Sequence, residues 1–238
     1  MPIEREDSSK RAALSPRDLV MPPVVYRVPG MDEISVRKDL RYAGDDHPLT
    51  LMDVYEAGRG APMVVLIHGS APIETRPKDW GVFQSWGRLL AASGLTAVTF
   101  NHRLTLKDVR NAIHFVHTNA ASWGADGERI ALAVWSGGGP LLEIEMPPFV
   151  RCVVAFYAIL DCPVCPVPMF IARAGRDTIA GVNESIDAFV KKAIQENAAL
   201  TLMNHPEGEH GFDNQNDSER SREIIRCSID FMKAHLRL

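Results

Sequence analysis

The chain has 238 residues, 46% hydrophobic and 24% charged, with a formal net charge of −4, enough length for one large folded core. That balance excludes the basic footprint of a nucleic-acid binder. No apolar run approaches the roughly 20 residues that a membrane span requires.

Residues 1–30 are polar and punctuated by Pro16, Pro22, Pro23 and Pro29, and they are expected to form an N-terminal arm. The opening MPIEREDSSKRAALSPRDLVMPP has charges of both signs and no apolar core of a secretory signal. Residues 31–238 are expected to form a single domain. Its first part holds two β-leaning stretches, ISVRKDLRY and PLTLMDVYE, separated by residues 43–47. This spacing predicts an antiparallel pair joined by a turn.

From Met63 the texture changes to short continuous apolar runs: MVVLI (63–67), LTAVTF (95–100), IALAVW (130–135), CVVAFYAIL (152–160), VPMFIA (167–172) and ALTLM (199–203). Strands without polar alternation are buried on both faces, as in a parallel sheet covered by helices. Between the runs, Val109, Ala112, Ile113, Val116 and Ala120 recur at helical spacing. So do Ile186, Phe189, Val190 and Ala193, and then Ile225, Ile229, Met232 and Leu236. This alternation predicts an α/β domain with a mostly parallel central sheet, antiparallel N-terminal strands and helices on both faces. The stretch from Phe156 to Val167 is too short for a large cap domain. Any cover over a site is expected from the loop 70–78 or from the arm.

Ligands in such sheets gather at the carboxyl ends of the strands. The residues just after the apolar runs are His68, Gly69 and Ser70; Asn101, His102 and Arg103; Ser136; Asp161; Asp177; and His205 and His210. A serine, two candidate acids and two candidate bases therefore share one edge. Ser136 ends a strand and is followed by Gly137, Gly138 and Gly139. A serine on a tight strand-to-helix turn projects its hydroxyl above the sheet, and nucleophilic catalysis needs such a hydroxyl with a base, an orienting acid and oxyanion donors.

These motifs together resemble the α/β-hydrolase superfamily, in its esterase/lipase or dienelactone-hydrolase-like group. His68-Gly69-Ser70 resembles the oxyanion loop, Asn101-His102-Arg103-Leu104 its Tyr-Arg-Leu segment, and Asp126-Gly127-Glu128-Arg129-Ile130 the turn into the nucleophile strand. Ser136 with Gly138 is similar to the nucleophile elbow, Ala174-Gly175-Arg176-Asp177 to the acid loop, and Glu209-His210-Gly211-Phe212 to the histidine loop. The resemblance covers residues from about 48 to 236. It implies an α/β-hydrolase fold and a serine esterase with Ser136 as nucleophile, His210 as base and Asp177 as orienting acid. It also implies an oxyanion hole from the backbone N–H groups of Ser70 and Gly137. Asp161 is the alternative acid. His205, at a strand end before Pro206, is read as structural, and His68 as shaping the oxyanion loop.

The expected substrate is a small or medium carboxylic ester, with an amide or peptide as the alternative. No cofactor and no metal is implied, and the oligomeric state stays open. One departure stands out: the family's elbow usually reads Gly-x-Ser-x-Gly, whereas Val134 occupies the first position here. A β-branched side chain there predicts steric crowding, and a hydrolase-fold binding protein without turnover is the rival reading. Cys162 and Cys165 form a C-x-x-C with no second Cys/His pair at zinc spacing. Four cysteines in all suit a reducing compartment, so a cytoplasmic location is expected. The tryptophans at 80, 86 and 123 are expected in helix packing, and Arg76 and Lys78 in an exposed basic loop.

Overall fold

The computed structural model describes residues 21–44 and 47–238. Each apolar run becomes a strand: β1 (Val36–Arg41), β2 (Leu51–Tyr55), β3 (Ala61–Ile67), β4 (Thr96–Phe100), β5 (Ala125–Trp135), β6 (Val150–Phe156), β7 (Met169–Ala174) and β8 (Leu200–His205). They form one eight-stranded sheet in the order β1-β2-β4-β3-β5-β6-β7-β8. The β1–β2 and β2–β4 pairings are antiparallel and every other pairing is parallel, so β2 alone runs against the rest. The turn expected between β1 and β2 includes residues 45 and 46, which lie outside the described residues, as does most of the expected arm.

The helices are α1 (Gly81–Ala92), α2 (Leu106–Asn119), α3 (Val182–Gln195), the single turn α4 (Phe212–Gln215) and α5 (Glu219–Leu236). Thr105 caps α2 by accepting from Asp108 N–H, and Ser218 caps α5 by accepting from Ser221 N–H, each worth about 1 kcal/mol. The β3–α1–β4 crossover steps toward one edge, while β4–α2–β5 and β7–α3–β8 step toward the other. Right-handed crossovers therefore put α1 on one face and α2 and α3 on the opposite one. On the α1 face, Trp135 meets Phe83 and Trp86 of α1. Phe170, two residues back along the sheet on the same face, meets Phe231 of α5.

The chain between Phe156 and Met169 contains no helix, consistent with a sheet edge that carries no large cap. The segment after β5 differs from the expected strand-to-helix turn. Ser136–Leu142 winds as a tight 3-10 segment with Pro140 inside it, and no α-helix separates β5 from β6. Three successive glycines each cost about 1 kcal/mol in an α-helix, and a proline there costs about 3, so the sequence cannot hold the longer helix. Of the arm, residues 22–25 lie against the domain. Val24 N–H donates to Ser85 Oγ, Val25 N–H to the Asp213 carbonyl, and Asn214 Nδ2 to the Pro22 carbonyl.

Candidate active site

Ser136 sits at the carboxyl end of β5 with φ of 51°, a left-handed conformation that is costly for a residue with a β-carbon. The backbone around it leaves no room. A β-carbon on Gly69 would lie 2.8 Å from Ser136 Cβ, and one on Gly137 would run into the Ser70 hydroxyl, 3.2 Å from Ser70 N. The two peptide N–H groups expected as oxyanion donors thus belong to segments that pass one another at van der Waals contact. Ile159 N–H donates to the Ser136 carbonyl at 3.0 Å, which fixes the elbow from the far side.

Asp177 and His210, the expected acid and base, lie in the loops after β7 and β8. Gly175 N–H donates to the His205 carbonyl and Arg176 N–H to the Gly208 carbonyl, so the two loops are laced together. His210 Nε2 lies 2.8 Å from Ser136 Oγ, and His210 Nδ1 lies 2.7 Å from Asp177 Oδ2. The other oxygen of Asp177 accepts Ile179 N–H. With Nδ1–H donating to the carboxylate, Nε2 presents its lone pair to the serine hydroxyl. The structure therefore brings Ser136, His210 and Asp177 into one hydrogen-bonded chain. Asp161 stands exposed after β6 and is not bonded to His210, so the alternative acid is not in place. His205 instead bonds Ser218 and Ser221 through Nε2, as its structural reading expects.

His68 holds the loop expected to supply an oxyanion donor. Its Nδ1–H donates to the Gly69 carbonyl at 2.7 Å, and its Nε2 accepts His102 N–H at 3.3 Å. Its ring stacks on His102 with centroids 3.6 Å apart. Holding the Gly69 carbonyl orients the Gly69–Ser70 peptide, and so the Ser70 N–H on its opposite side. Burial pushes the His68 imidazole down to about 4 and holds His102 well below its ordinary value, so both rings are neutral donors and acceptors at neutral pH.

Beside this loop opens a cleft of about 480 Å³ lined by Ser70, Ala71, Pro72, Ile73, Glu74, Arg103 and Leu104. The loop that walls it is anchored by a feature read wrongly from sequence. Lys78 is buried, and its Nζ meets Asp53 and Asp79 at 2.8 Å and Asp39 at 2.9 Å. Burial alone would lower its pKa, but bonds from the three carboxylates overcome this and raise it. Asp39 and Asp53 approach from β1 and β2, and no local pattern around Lys78 announces them.

Sequence reasoning also missed Asp213. It is fully buried and accepts from Trp86 Nε1 at 2.8 Å, Trp135 Nε1 at 3.1 Å and Tyr157 Oη at 2.6 Å. The only local signal is an acid two residues past a His-Gly pair, which reads equally as a helix-start residue. Cys162 and Cys165 are free thiols pushed by burial up to about 12 and about 11, which opposes thiolate chemistry. No group of three or more metal-binding side chains occurs among the described residues, and none of their helices is long and apolar enough to cross a membrane.

Comparison with known proteins bears on the fold. A family model described as BD-FAE matches residues 52–145. No curated protein matches the chain in sequence. Among solved structures, esterase B from Lactobacillus rhamnosis, inhibited by a tributyrin phosphonate, superposes with a TM-score of 0.71 at 15% identity, covering 89% of this chain and 88% of its own. Esterase LipW from Mycobacterium marinum gives 0.69 at 14%, covering 87% and 83%. Propionate-bound esterase Est2 from Thermogutta terrifontis gives 0.65 at 16%, covering 87% and 96%. With this sheet order, its one reversed strand and these structural neighbours, the chain is an α/β-hydrolase in fold.

Proposed function

We propose that the protein is a serine hydrolase that cleaves small or medium carboxylic esters through an acyl-enzyme on Ser136. The observation that carries this reading is His210 bridging Asp177 and Ser136 at 2.7 and 2.8 Å. Ser136 Oγ attacks the ester carbonyl as His210 Nε2 takes its proton. Asp177 holds the imidazole in the tautomer that can accept and stabilises the imidazolium that forms. The N–H groups of Gly137 and Ser70 donate to the tetrahedral oxyanion, and pre-set donors of this kind contribute roughly 3 to 4 kcal/mol each. His210 then protonates the departing alcohol. Water, deprotonated by the same nitrogen, releases the acid.

The esterase names of the structural neighbours support ester over other substrates, and a cleft of about 480 Å³ beside Ser70 offers room for one. We read residues 31–238 as one catalytic domain, with residues 1–30 as an arm. The test is turnover of p-nitrophenyl acetate and butyrate beside aminoacyl-anilides. The parent protein is expected to favour the esters, and Ser136→Ala to lose at least about a thousandfold in kcat. Undiminished ester turnover in Ser136→Ala contradicts the assignment. Faster anilide turnover in the parent protein places it among amide hydrolases.

A further inference from the structure

The carboxylate of Asp213 lies beneath the candidate active site and touches none of its reacting atoms. Its three side-chain donors come from three separate elements. Trp86 belongs to α1, Trp135 ends β5 immediately before Ser136, and Tyr157 follows β6. Two of the three lead back to the site. Trp135 is the residue whose peptide carries Ser136. The Tyr157 ring packs on the His210 imidazole with centroids 4.5 Å apart and planes at 58°.

We propose that Asp213 is a positioning residue: by accepting from Tyr157 it holds the phenol ring against His210, and by accepting from Trp135 it fixes the strand end that carries Ser136. This deepens the hydrolase reading and rests on it for its catalytic consequence.

A purely structural account has Asp213 merely satisfying buried indole and phenol donors, which need partners in any core. Two observations go beyond that. Tyr157 has φ of 36°, a strained backbone state that persists only where surroundings over-determine it, and its ring lies against His210. Asp213 is also only three residues beyond His210, on the turn α4 that ends the histidine loop. One carboxylate therefore sets the base from two sides, through the chain and through the Tyr157 ring. Burial, followed by the Asp213 charge, raises the Tyr157 hydroxyl well above its ordinary value, so the phenol remains a donor throughout the working pH range.

Only tautomer and order at His210 separate positioning from packing, and nitrogen NMR of the imidazole reads both without turnover. In the parent protein the signals should report one ordered tautomer with the proton on Nδ1. Tyr157→Phe keeps the ring and removes only the donated bond, and Asp213→Asn keeps the shape. Both should give mixed tautomers or broadened ring signals. Both should lower kcat per active site at least tenfold, sites being counted by a fluorophosphonate titrant, with KM within about twofold. Tyr157→Phe decides the matter if Asp213→Asn does not fold. Unchanged His210 signals with unchanged per-site kcat in Tyr157→Phe overturn the proposal. A parent protein that takes no phosphonate adduct contradicts the hydrolase reading alone, because the His210 signals still report positioning.

Discussion

Gly138 leaves open the space that Val134 occupies: a β-carbon on Gly138 would stand 3.0 Å from Val134 Cγ2 and 2.6 Å from the His68 carbonyl oxygen. Val134 is fully buried and lies on the face of β5 opposite Trp135. There the 3-10 segment with its bare glycines passes without a side chain to meet it. The crowding that Val134 predicts is relieved at Gly138, whose missing β-carbon leaves room for Val134 Cγ2, whereas Gly137 and Gly139 face Ser70 and Ile159.

Gly138→Ala tests this. The added methyl meets a carbonyl and a β-branched side chain at once, and overpacking of this kind costs about 1 to 3 kcal/mol. It also pushes on the His68 carbonyl, at the head of the His68–Ser70 loop. Urea unfolding should register the stability loss, and ester turnover should fall with it. Trimming Val134 with Val134→Ala should restore part of the stability lost in Gly138→Ala, the remainder persisting because the His68 carbonyl is still in the way. No recovery at all would contradict the Val134–Gly138 relationship.

The His68 clamp makes a pH prediction with a defined sign. Burial holds the folded imidazole down to about 4, whereas an unfolded histidine titrates near 6.5. Between those values the unfolded chain binds the proton and the folded chain does not, so stability is fully present above about pH 6.5 and is lost as pH falls toward 4. His102 is lowered in the same direction by burial and by His68 and adds to the slope. His68→Phe retains the ring stack and removes one titrating group. Its stability should fall less steeply with pH, by up to about 1.4 kcal/mol per pH unit, when measured by denaturant unfolding from pH 7 to 4. At pH 7 the same variant should lose kcat, since nothing then holds the Gly69 carbonyl.

Lys78 supplies a prediction on stability. Its removal leaves Asp53, 1% exposed, and the nearby Asp79 without their shared cation. Uncompensated buried charge of this kind costs about 3 to 5 kcal/mol. Lys78→Met should show that loss in urea unfolding. A change below about 1 kcal/mol would mean that the carboxylates relax to water, as exposed pairs do.

What the sequence made legible follows from where each signal lives. The parallel strands were readable because burial on both faces leaves continuous runs such as MVVLI and IALAVW. Ser136 follows its run directly, and Asp177 and His210 lie in the short loops after theirs. They could be picked out as candidates because strand ends of an open sheet converge in space. The arrangement of the elbow was not readable, since its helix depends on whether three glycines and Pro140 can propagate one. Lys78 and Asp213 were missed for a different reason. Their partners come from distant segments, Asp39 and Asp53 in one case and Trp86, Trp135 and Tyr157 in the other. Neither a charged loop residue nor an acid at a helix start signals that it is buried.

The most direct test of the central claim is to map the adduct of a fluorophosphonate on the intact protein by peptide mass spectrometry. A hydroxyl activated by His210 should react once per chain, on the peptide that contains Ser136, and Ser136→Ala and His210→Ala should both remain unlabelled. Labelling elsewhere, or labelling of Ser136 at the same rate in His210→Ala, would contradict Ser136 as a nucleophile activated by that histidine.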